Sequence, residues 1–409
     1  MPEQLRGKKE LGAVYTPKLI VEFMLSRFKF SASQTLTVLE PACADAPFLA
    51  AFQEKFGKKH ALVGVEIDTD AMPKPDLENF EFRGEDFLLW KTDRRFDVVL
   101  GNPPYGIIGN ESHYPISALK DVKSEYKARS STWRGKYNIY GAFIEQSVKL
   151  LKPNGQLCFV VPATWLLLDD FILLRKFLSE HGELHVHYLG KAFTSVNVVA
   201  VVLYFIKSSN NEKMRRALRL YDREKLLVKR DNYDGDLIAF EDDFTRGFEA
   251  EKHMRVGDMF HIHFAARSPE VKKSAIVFPE KKDGTTPLLT GRNLKPNAID
   301  YETNYTGLYV EQRRAKELRA FYGFPHIVVG HTKGAKVVAA FDERCYAWRE
   351  EFHLVPKRRV NERAVVAYFN SDPVQRYVAT LYRDMIPHLT KTELSRLPLP
   401  TDFILPDEH

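Results

Sequence analysis

Cysteine is scarce: Cys43, Cys158 and Cys345 are three in 409 residues, odd in number and far apart, which argues against a disulfide framework or a cysteine-based zinc site. His326 and His331 lie five apart without an acidic or cysteine partner, so no metal site is expected from them. Long apolar runs are missing too. Nothing approaches the ~18 residues of a membrane span, and Met1 to Gly12 is polar, with no hydrophobic signal core. These absences predict a cytoplasmic chain with no membrane partner. A charge surplus is absent from residues 1–245, where 34 Lys and Arg face 33 Asp and Glu, whereas residues 246–409 hold 26 against 21, so most of the net +6 lies there. A basic C-terminal part suits a polyanionic partner, although a modest surplus also serves solubility. With 44% hydrophobic and 12% aromatic residues the chain can fill large cores, and its length suggests about two or three domains.

Glycine is missing where a dinucleotide binder needs it. Leu36 to Glu40 reads as a strand and the residues through Phe56 as a helix, joined by Glu40-Pro41-Ala42-Cys43-Ala44-Asp45-Ala46-Pro47. That order belongs to a nucleotide-binding α/β unit. The loop nevertheless lacks the G-x-G-x-x-G that brings backbone against a pyrophosphate, which disfavours NAD and FAD. S-adenosylmethionine has no phosphate and does not need that approach. The next strand, Leu62 to Glu66, ends in Glu66-Ile67-Asp68, where a carboxylate in this architecture grips ribose hydroxyls. Asp86, flanked by Phe87, offers an acceptor and a ring to the cofactor adenine. A single strand-end acid is more often a solvated carboxylate; three in succession point to a cofactor.

The chain is organised around Phe96 to Leu100, a short apolar strand that runs into Gly101-Asn102-Pro103-Pro104-Tyr105-Gly106. Two prolines leave no backbone N–H between Asn102 and Tyr105, so the turn presents acceptors and almost no donors. It suits a ligand that donates, such as an adenine amino group, whose nitrogen is a poor nucleophile until both hydrogens are held out of the ring plane. The Asn102 side-chain oxygen and the Pro103 carbonyl form the acceptor pair, and the Tyr105 ring offers a stacking face. Such a turn acts by positioning. An isolated Asn-Pro-Pro is also a common loop starter.

Around this turn, Thr16 reads as the N-cap of a helix with Pro17 at its first position, followed by Leu19, Ile20, Phe23, Met24 and Phe28. Ile107 to Lys136 is too long for a passive connection and carries six Lys or Arg with Tyr114, Tyr126 and Trp133. A helix is predicted over Tyr137 to Leu151, a strand over Gln156 to Val161 and a helix over Phe171 to Leu178. Strands Leu184 to Leu189 and Val198 to Ile206 follow, with Phe193 on the loop between them. The stretch to about Arg246 has no clear period, and the domains are drawn at 1–245 and 246–409. Beyond, short apolar runs (Ile327 to Val329, Val337 to Phe341) alternate with basic turns such as Thr290-Gly291-Arg292-Asn293. Helical patches appear at Glu311 to Phe321 and Ala364 to Tyr382, as in an α+β module that presents Arg and Lys on loops.

The order of Thr16, the Glu40 loop, Glu66, Asp86, Asn102-Pro103-Pro104-Tyr105 and Phe193 resembles the γ-class adenine-N6 DNA methyltransferases of type II restriction-modification systems, in particular their TaqI-like branch. The likeness continues through Ser131-Thr132-Trp133, Lys136-Tyr137-Asn138, Ala265-Ala266-Arg267-Ser268-Pro269-Glu270, Leu289-Thr290-Gly291-Arg292-Asn293, Trp348-Arg349-Glu350-Glu351-Phe352 and Tyr382-Arg383-Asp384. The resemblance implies an α/β fold, a Rossmann-like S-adenosylmethionine-dependent methyltransferase sheet with a C-terminal α+β DNA-recognition domain. It implies that Thr16, Glu40, Ala42, Glu66, Ile67, Asp86, Phe87, Pro104 and Phe143 bind S-adenosyl-L-methionine, with Glu66 on the ribose and Asp86 on the adenine amino group. Asn102 and Pro103 would hold the target N6, and Tyr105 and Phe193 would sandwich an adenine flipped from double-stranded DNA. Arg267, Arg292 and Pro387 would contact DNA, Pro387 against the orphaned thymine, within a 5′-TCGA-3′ site. The enzyme would act as a monomer, with a cognate restriction endonuclease as its genetic rather than physical partner. Two positions depart from the pattern: Ala46 stands where the family usually has glycine, and Thr194-Ser195-Val196-Asn197 lacks the expected lysines.

Asn-Pro-Pro-Tyr also occurs in methyltransferases of RNA guanine N2 and of protein glutamine amides, where the target is again a conjugated nitrogen. The basic C-terminal part disfavours a peptide-amide substrate. A catalytically silent DNA-recognition subunit is disfavoured by the presence of Glu66, Asp86, Asn102 and Tyr105 together.

Overall fold

The computed structural model describes residues 15–68, 76–109, 115–116, 119–193, 198–209, 216–251, 254–331, 334–386 and 388–406; Pro387 and the 194–197 loop lie outside them. The chain divides into two compact units, Met1–Ala239 and Phe240–His409.

Short apolar runs alternating with helices build the sheet of the first unit. β1 (Thr37–Pro41), β2 (Ala61–Val65), β3 (Phe80–Arg83), β4 (Phe96–Gly101) and β5 (Leu151–Pro162) are parallel. β6 (Gly182–Gly190) and β7 (Ala200–Lys207) form an antiparallel pair, and β7 also runs antiparallel to β5. β8 (Leu218–Asp222) and β9 (Lys225–Arg230) complete nine strands in the order β3-β2-β1-β4-β5-β7-β6-β8-β9. Val38 and Leu39 of β1 pair with Val98 and Val99 of β4, and all four are buried. Helices cover both faces of such a sheet, so its central strands are apolar throughout rather than alternating. Strand order reverses about β1, whose neighbours are β2 on one side and β4 on the other, and ligands bind in the crevice at the carboxyl ends of such strands.

The helices that matter here are α1 (Lys18–Leu25), α2 (Pro47–Phe56), α3 (Lys123–Arg129), α4 (Tyr140–Leu150) and α5 (Ile172–His181). α1 differs from expectation. Pro17, not Thr16, is its N-cap, with the Pro17 carbonyl accepting the first helical bond from Ile20, and Leu19 faces solvent at 79% exposure while Ile20, Val21, Met24 and Leu25 are buried. The β8–β9 hairpin was not legible because its apolar residues are interleaved with charges on an exposed edge strand.

The second unit begins before residue 245, which lies inside α6 (Asp243–Ala250). Asp242 and Thr245 cap that helix reciprocally, at 2.8 and 2.9 Å, and so draw its start ahead of the expected boundary. Its main sheet is antiparallel: β10 (Phe260–Phe264), β11 (His326–Val329), β12 (Ala339–Asp342) and β13 (Phe352–Pro356) in the order β10-β13-β11-β12. Trp348 is buried beside it and donates its Nε1–H to the buried Asp342 at 2.8 Å. The helix expected over Glu311 to Phe321 is two short 3₁₀ turns. That over Ala364 to Tyr382 is α7 (Glu362–Phe369) and α8 (Asp372–Tyr382), broken where Pro373 starts α8. His326 has the buried His353 as its partner, Nε2 to Nδ1 at 2.7 Å. Among the described residues, no helix is long and apolar enough to cross a membrane.

Candidate active site

β4 delivers Gly101-Asn102 to the carboxyl edge of the sheet beside β1. The Asn102 side chain reaches a residue 86 positions away, its Nδ2 donating to Thr16 Oγ1 at 2.8 Å. The Thr16 hydroxyl therefore orients this amide instead of capping α1. Pro103 is buried and Pro104 half-buried.

Tyr105 and Phe193 are brought together, though not as a parallel pair. Their ring centroids are 6.5 Å apart at 84°, an edge-to-face contact, which is a favoured geometry for two rings that meet directly. The stacking slot expected between them is not formed in this arrangement; a flat base requires one ring to turn. Tyr105 also meets Tyr140 edge to face, and its buried hydroxyl donates to the Val160 carbonyl of β5 at 3.0 Å. Burial raises the phenol's pKa, so it remains a donor. The hydroxyl thus has a structural partner that the sequence did not disclose.

The glycine-free loop after β1 still takes the backbone conformations that glycine favours. Ala42, Ala44 and Ala46 have φ of 54°, 46° and 54°. Ala46, where family members usually have glycine, keeps the left-handed turn and is the N-cap of α2 without a side chain to satisfy the first amides. Glu40 supplies the acceptor: its Oε2 takes the Leu49 N–H at 3.0 Å, and Phe48 also donates to it. Glu40, expected at the cofactor, is 2% exposed and directed at this helix end. Burial raises its pKa well above the carboxylate range, with the two amides opposing and the charges of Asp45 and Glu66 adding.

A left-handed alanine costs roughly 1–2 kcal/mol, and glycine adds about 0.5–1 kcal/mol of chain entropy to be lost on folding. Half-buried Ala44 is therefore expected to give a net gain of about 0.5–1 kcal/mol on Ala44→Gly, read as a higher urea midpoint. Ala46→Gly is expected to be nearly neutral, since its fully buried methyl is worth ~0.8 kcal/mol of burial. A lower midpoint for Ala44→Gly would show that the loop is not strained at that residue.

The β2 and β3 ends carry the other acids. Glu66 lies just past β2; Oε2 accepts from Ala44 N at 2.8 Å and Oε1 from Asp68 N at 3.0 Å, which ties the Ala42–Ala46 turn to the β2 end. Ile67 beside it is 42% exposed, an apolar face next to a carboxylate. Asp86 accepts the Leu88 N–H through Oδ1 at 3.0 Å and the Tyr126 hydroxyl through Oδ2 at 2.5 Å. Phe87 packs on Phe143 of α4, ring centroids 5.2 Å apart. The strand ends thus carry two carboxylates that can accept from hydroxyl and amino groups, an exposed isoleucine and a pair of packed phenylalanines.

Sequence reasoning missed the anchor of the long excursion after Tyr105. The chain leaves at Gly106 and returns at Asn138-Ile139, where Ile139 N donates to Gly106 O and Gly106 N to Asn138 Oδ1, both at 2.9 Å. Its returning limb is held by Glu145 of α4, buried at 1% exposure, which accepts from Ser130 Oγ, from N and Oγ of both Ser131 and Thr132, and from Lys149 Nζ. A glutamate between Ile144 and Val148 in an apolar helix was the available signal.

In the second unit, exposed Arg267 lies over the Phe264 ring at 5.5 Å and exposed Arg292 is 6.0 Å from the Tyr305 ring centroid.

Comparison with known proteins adds the family context. Residues 35–192 match the Eco57I restriction-modification methylase model and residues 286–399 the TaqI-like C-terminal specificity domain. The chain is 51% identical over 408 residues to the type II methyltransferase M.TthHB8I of Thermus thermophilus, covering 97% of this chain and 92% of that protein. Over 210 residues it is 28% identical to the type II methyltransferase M.HincII of Haemophilus influenzae, covering 50% of this chain and 38% of that protein. Among solved structures, the type IIL restriction-modification enzyme MmeI in complex with DNA aligns with a TM-score of 0.54 at 12% identity, over 99% of this chain and 69% of that one, a likeness of fold.

Proposed function

The chain belongs to the type II restriction-modification methyltransferases, S-adenosylmethionine-dependent enzymes of DNA, and from that membership we propose that it methylates the N6 amino group of adenine in a short duplex site, 5′-TCGA-3′. The observation that carries the choice of an exocyclic amine is the Asn102–Tyr105 turn, which offers acceptors with no backbone donor at Pro103 and Pro104 and holds the Asn102 amide by its nitrogen on Thr16. With that nitrogen engaged as a donor, the amide oxygen serves as one acceptor and the Pro103 carbonyl as the second. Two acceptors on one N–H₂ group pull its hydrogens out of the base plane and return the lone pair to nitrogen. Tyr105 and Phe193 then supply ring faces to a base extruded from the duplex, one ring turning from the edge-to-face contact.

Bound S-adenosylmethionine supplies an electrophilic methyl on its sulfonium. In this reading Glu66 takes the ribose hydroxyls and Asp86 the adenine amino group, with Ile67, Phe87 and Phe143 as apolar walls and Thr16, Ala42 and Pro104 nearby. Glu40 serves that pocket by fixing α2. The first unit carries catalysis. The basic second unit reads the site through Arg267, Arg292 and Pro387. The protein works as a monomer in the cytoplasm, its endonuclease a genetic partner.

The test offers the purified enzyme labelled S-adenosylmethionine with a random duplex DNA library, structured RNA and a glutamine-containing peptide in parallel. Label at the adenine of TCGA is expected. Adenine label at another site rejects the recognition sequence alone; label on cytosine, RNA or peptide rejects the chemistry proposed here.

A further inference from the structure

Tyr126 belongs to none of the motifs that define the site, yet its side chain is 2% exposed and its hydroxyl lies 2.5 Å from Asp86 Oδ2. It stands on α3, inside the excursion that Gly106 and Ile139 close. α3 is docked on the Asp86 turn at a second point, Arg129 Nη1 donating to the Leu89 carbonyl at 2.7 Å, and is tied back to the start of the excursion by Lys123 Nζ on the Ile108 carbonyl at 2.6 Å. Burial first, and then the hydrogen bond and charge of Asp86, raise the Tyr126 pKa, so the phenol keeps its proton and donates.

We infer that Tyr126 is a positioning residue that makes Asp86 selective for a cofactor base bearing an exocyclic amine. This rests on the proposed contact of Asp86 with the cofactor adenine. A carboxylate offers about four lone-pair sites over two oxygens. Leu88 N occupies one on Oδ1 and Tyr126 one on Oδ2, which fixes the carboxylate plane and leaves each oxygen a further lone pair. A group held this way by two donors can add only donors. It accepts an amino group and meets a 6-oxo group lone pair to lone pair. Asp86 is half-buried, and an acceptor held rigid there discriminates against an analogue that lacks the donor, whereas one free to rotate toward water does not. Without the Tyr126 hydroxyl, Leu88 N alone among the described residues orients the carboxylate, and the penalty against the oxo analogue relaxes.

The experiment measures S-adenosylhomocysteine and S-inosylhomocysteine binding by calorimetry to the wild-type enzyme, Tyr126→Phe and Asp86→Asn. Tyr126→Phe is expected to weaken S-adenosylhomocysteine five- to tenfold and the inosine analogue less than twofold, and to raise KM for S-adenosylmethionine with a much smaller change in kcat. Each affinity ratio is taken within one protein, so a general loss of stability cancels. Equal weakening of both ligands, or none, in Tyr126→Phe overturns the role of Tyr126 even where Asp86→Asn collapses the ratio. A wild-type ratio in Asp86→Asn overturns the Asp86 contact itself, and the inference with it.

Discussion

Alanine at Asn102 is expected to lower kcat by about a hundredfold or more, roughly 3 kcal/mol, the size of losing one oriented polar group at a reacting centre, while the affinity for S-adenosylmethionine changes less than twofold. The separation follows from where the groups stand. Asn102 lies at the end of β4 with its amide nitrogen on Thr16 at 2.8 Å, whereas Glu66 and Asp86 follow β2 and β3 and are held by backbone amides and Tyr126. Removing the amide takes away the acceptor proposed for the target amine and leaves those contacts in place. Thr16→Val is the graded companion. It deletes the hydroxyl that orients the amide but keeps the amide, and the loss of one hydrogen bond of about 1 kcal/mol corresponds to roughly fivefold in kcat. Single-turnover methyl transfer with calorimetric cofactor titration reads both quantities. Near-normal turnover in Asn102→Ala rejects its role at the amine; a large loss of cofactor affinity moves Asn102 to the cofactor side.

The strand-loop-helix alternation that predicts a nucleotide-binding sheet is carried by local signals: apolar runs, Pro47 at the start of α2, and the breaks at Gly101 and Gly190. The approach of Asn102 to Thr16, of Tyr126 to Asp86 and of His326 to His353 is not local. The Asn102–Thr16 pair spans 86 residues and the Tyr126–Asp86 pair 40. Read by its commonest local use, Thr16 is a helix cap, whereas Glu40 is placed at the cofactor by the resemblance alone. The structure shows Thr16 serving instead an amide from the end of β4, and Glu40 holding a helix end where Ala46 has no capping side chain. The three left-handed alanines are invisible to propensity, which places such backbone at glycine.

Glu145→Ala is expected to cost roughly 1–3 kcal/mol of stability, the penalty for leaving a buried donor without its acceptor. Its two oxygens accept six hydrogen bonds, from the hydroxyls of Ser130, Ser131 and Thr132, two backbone amides and Lys149. Alanine leaves the buried Thr132 amide without its acceptor, whereas the Lys149 ammonium, half exposed, recovers water. Glu145→Gln is expected to recover little. Its N–H₂ must face either the Ser131 amide and Lys149 or the Thr132 amide, and hydroxyls can turn to accept where amides and ammonium cannot. The pH dependence has a defined sign. Burial alone raises the Glu145 pKa, but the bonds from Lys149, Ser130, Thr132 and the Ser131 amide outweigh it and hold the value at about 2, below the ordinary 4.5. A carboxylate lowered on folding contributes stability that is complete above about 4.5 and lost as the pH falls toward 2, so the wild type is expected to lose this contribution over that window while Glu145→Ala has none to lose. Since Glu145 holds the limb that follows α3, the variant is also expected to loosen Tyr126 from Asp86 and weaken S-adenosylhomocysteine. Urea unfolding at pH 7 and at pH 3 measures the first effect and calorimetry the second. A loss below ~1 kcal/mol at pH 7 shows that the excursion is held elsewhere; a full loss with unchanged affinity separates the anchor from the cofactor site.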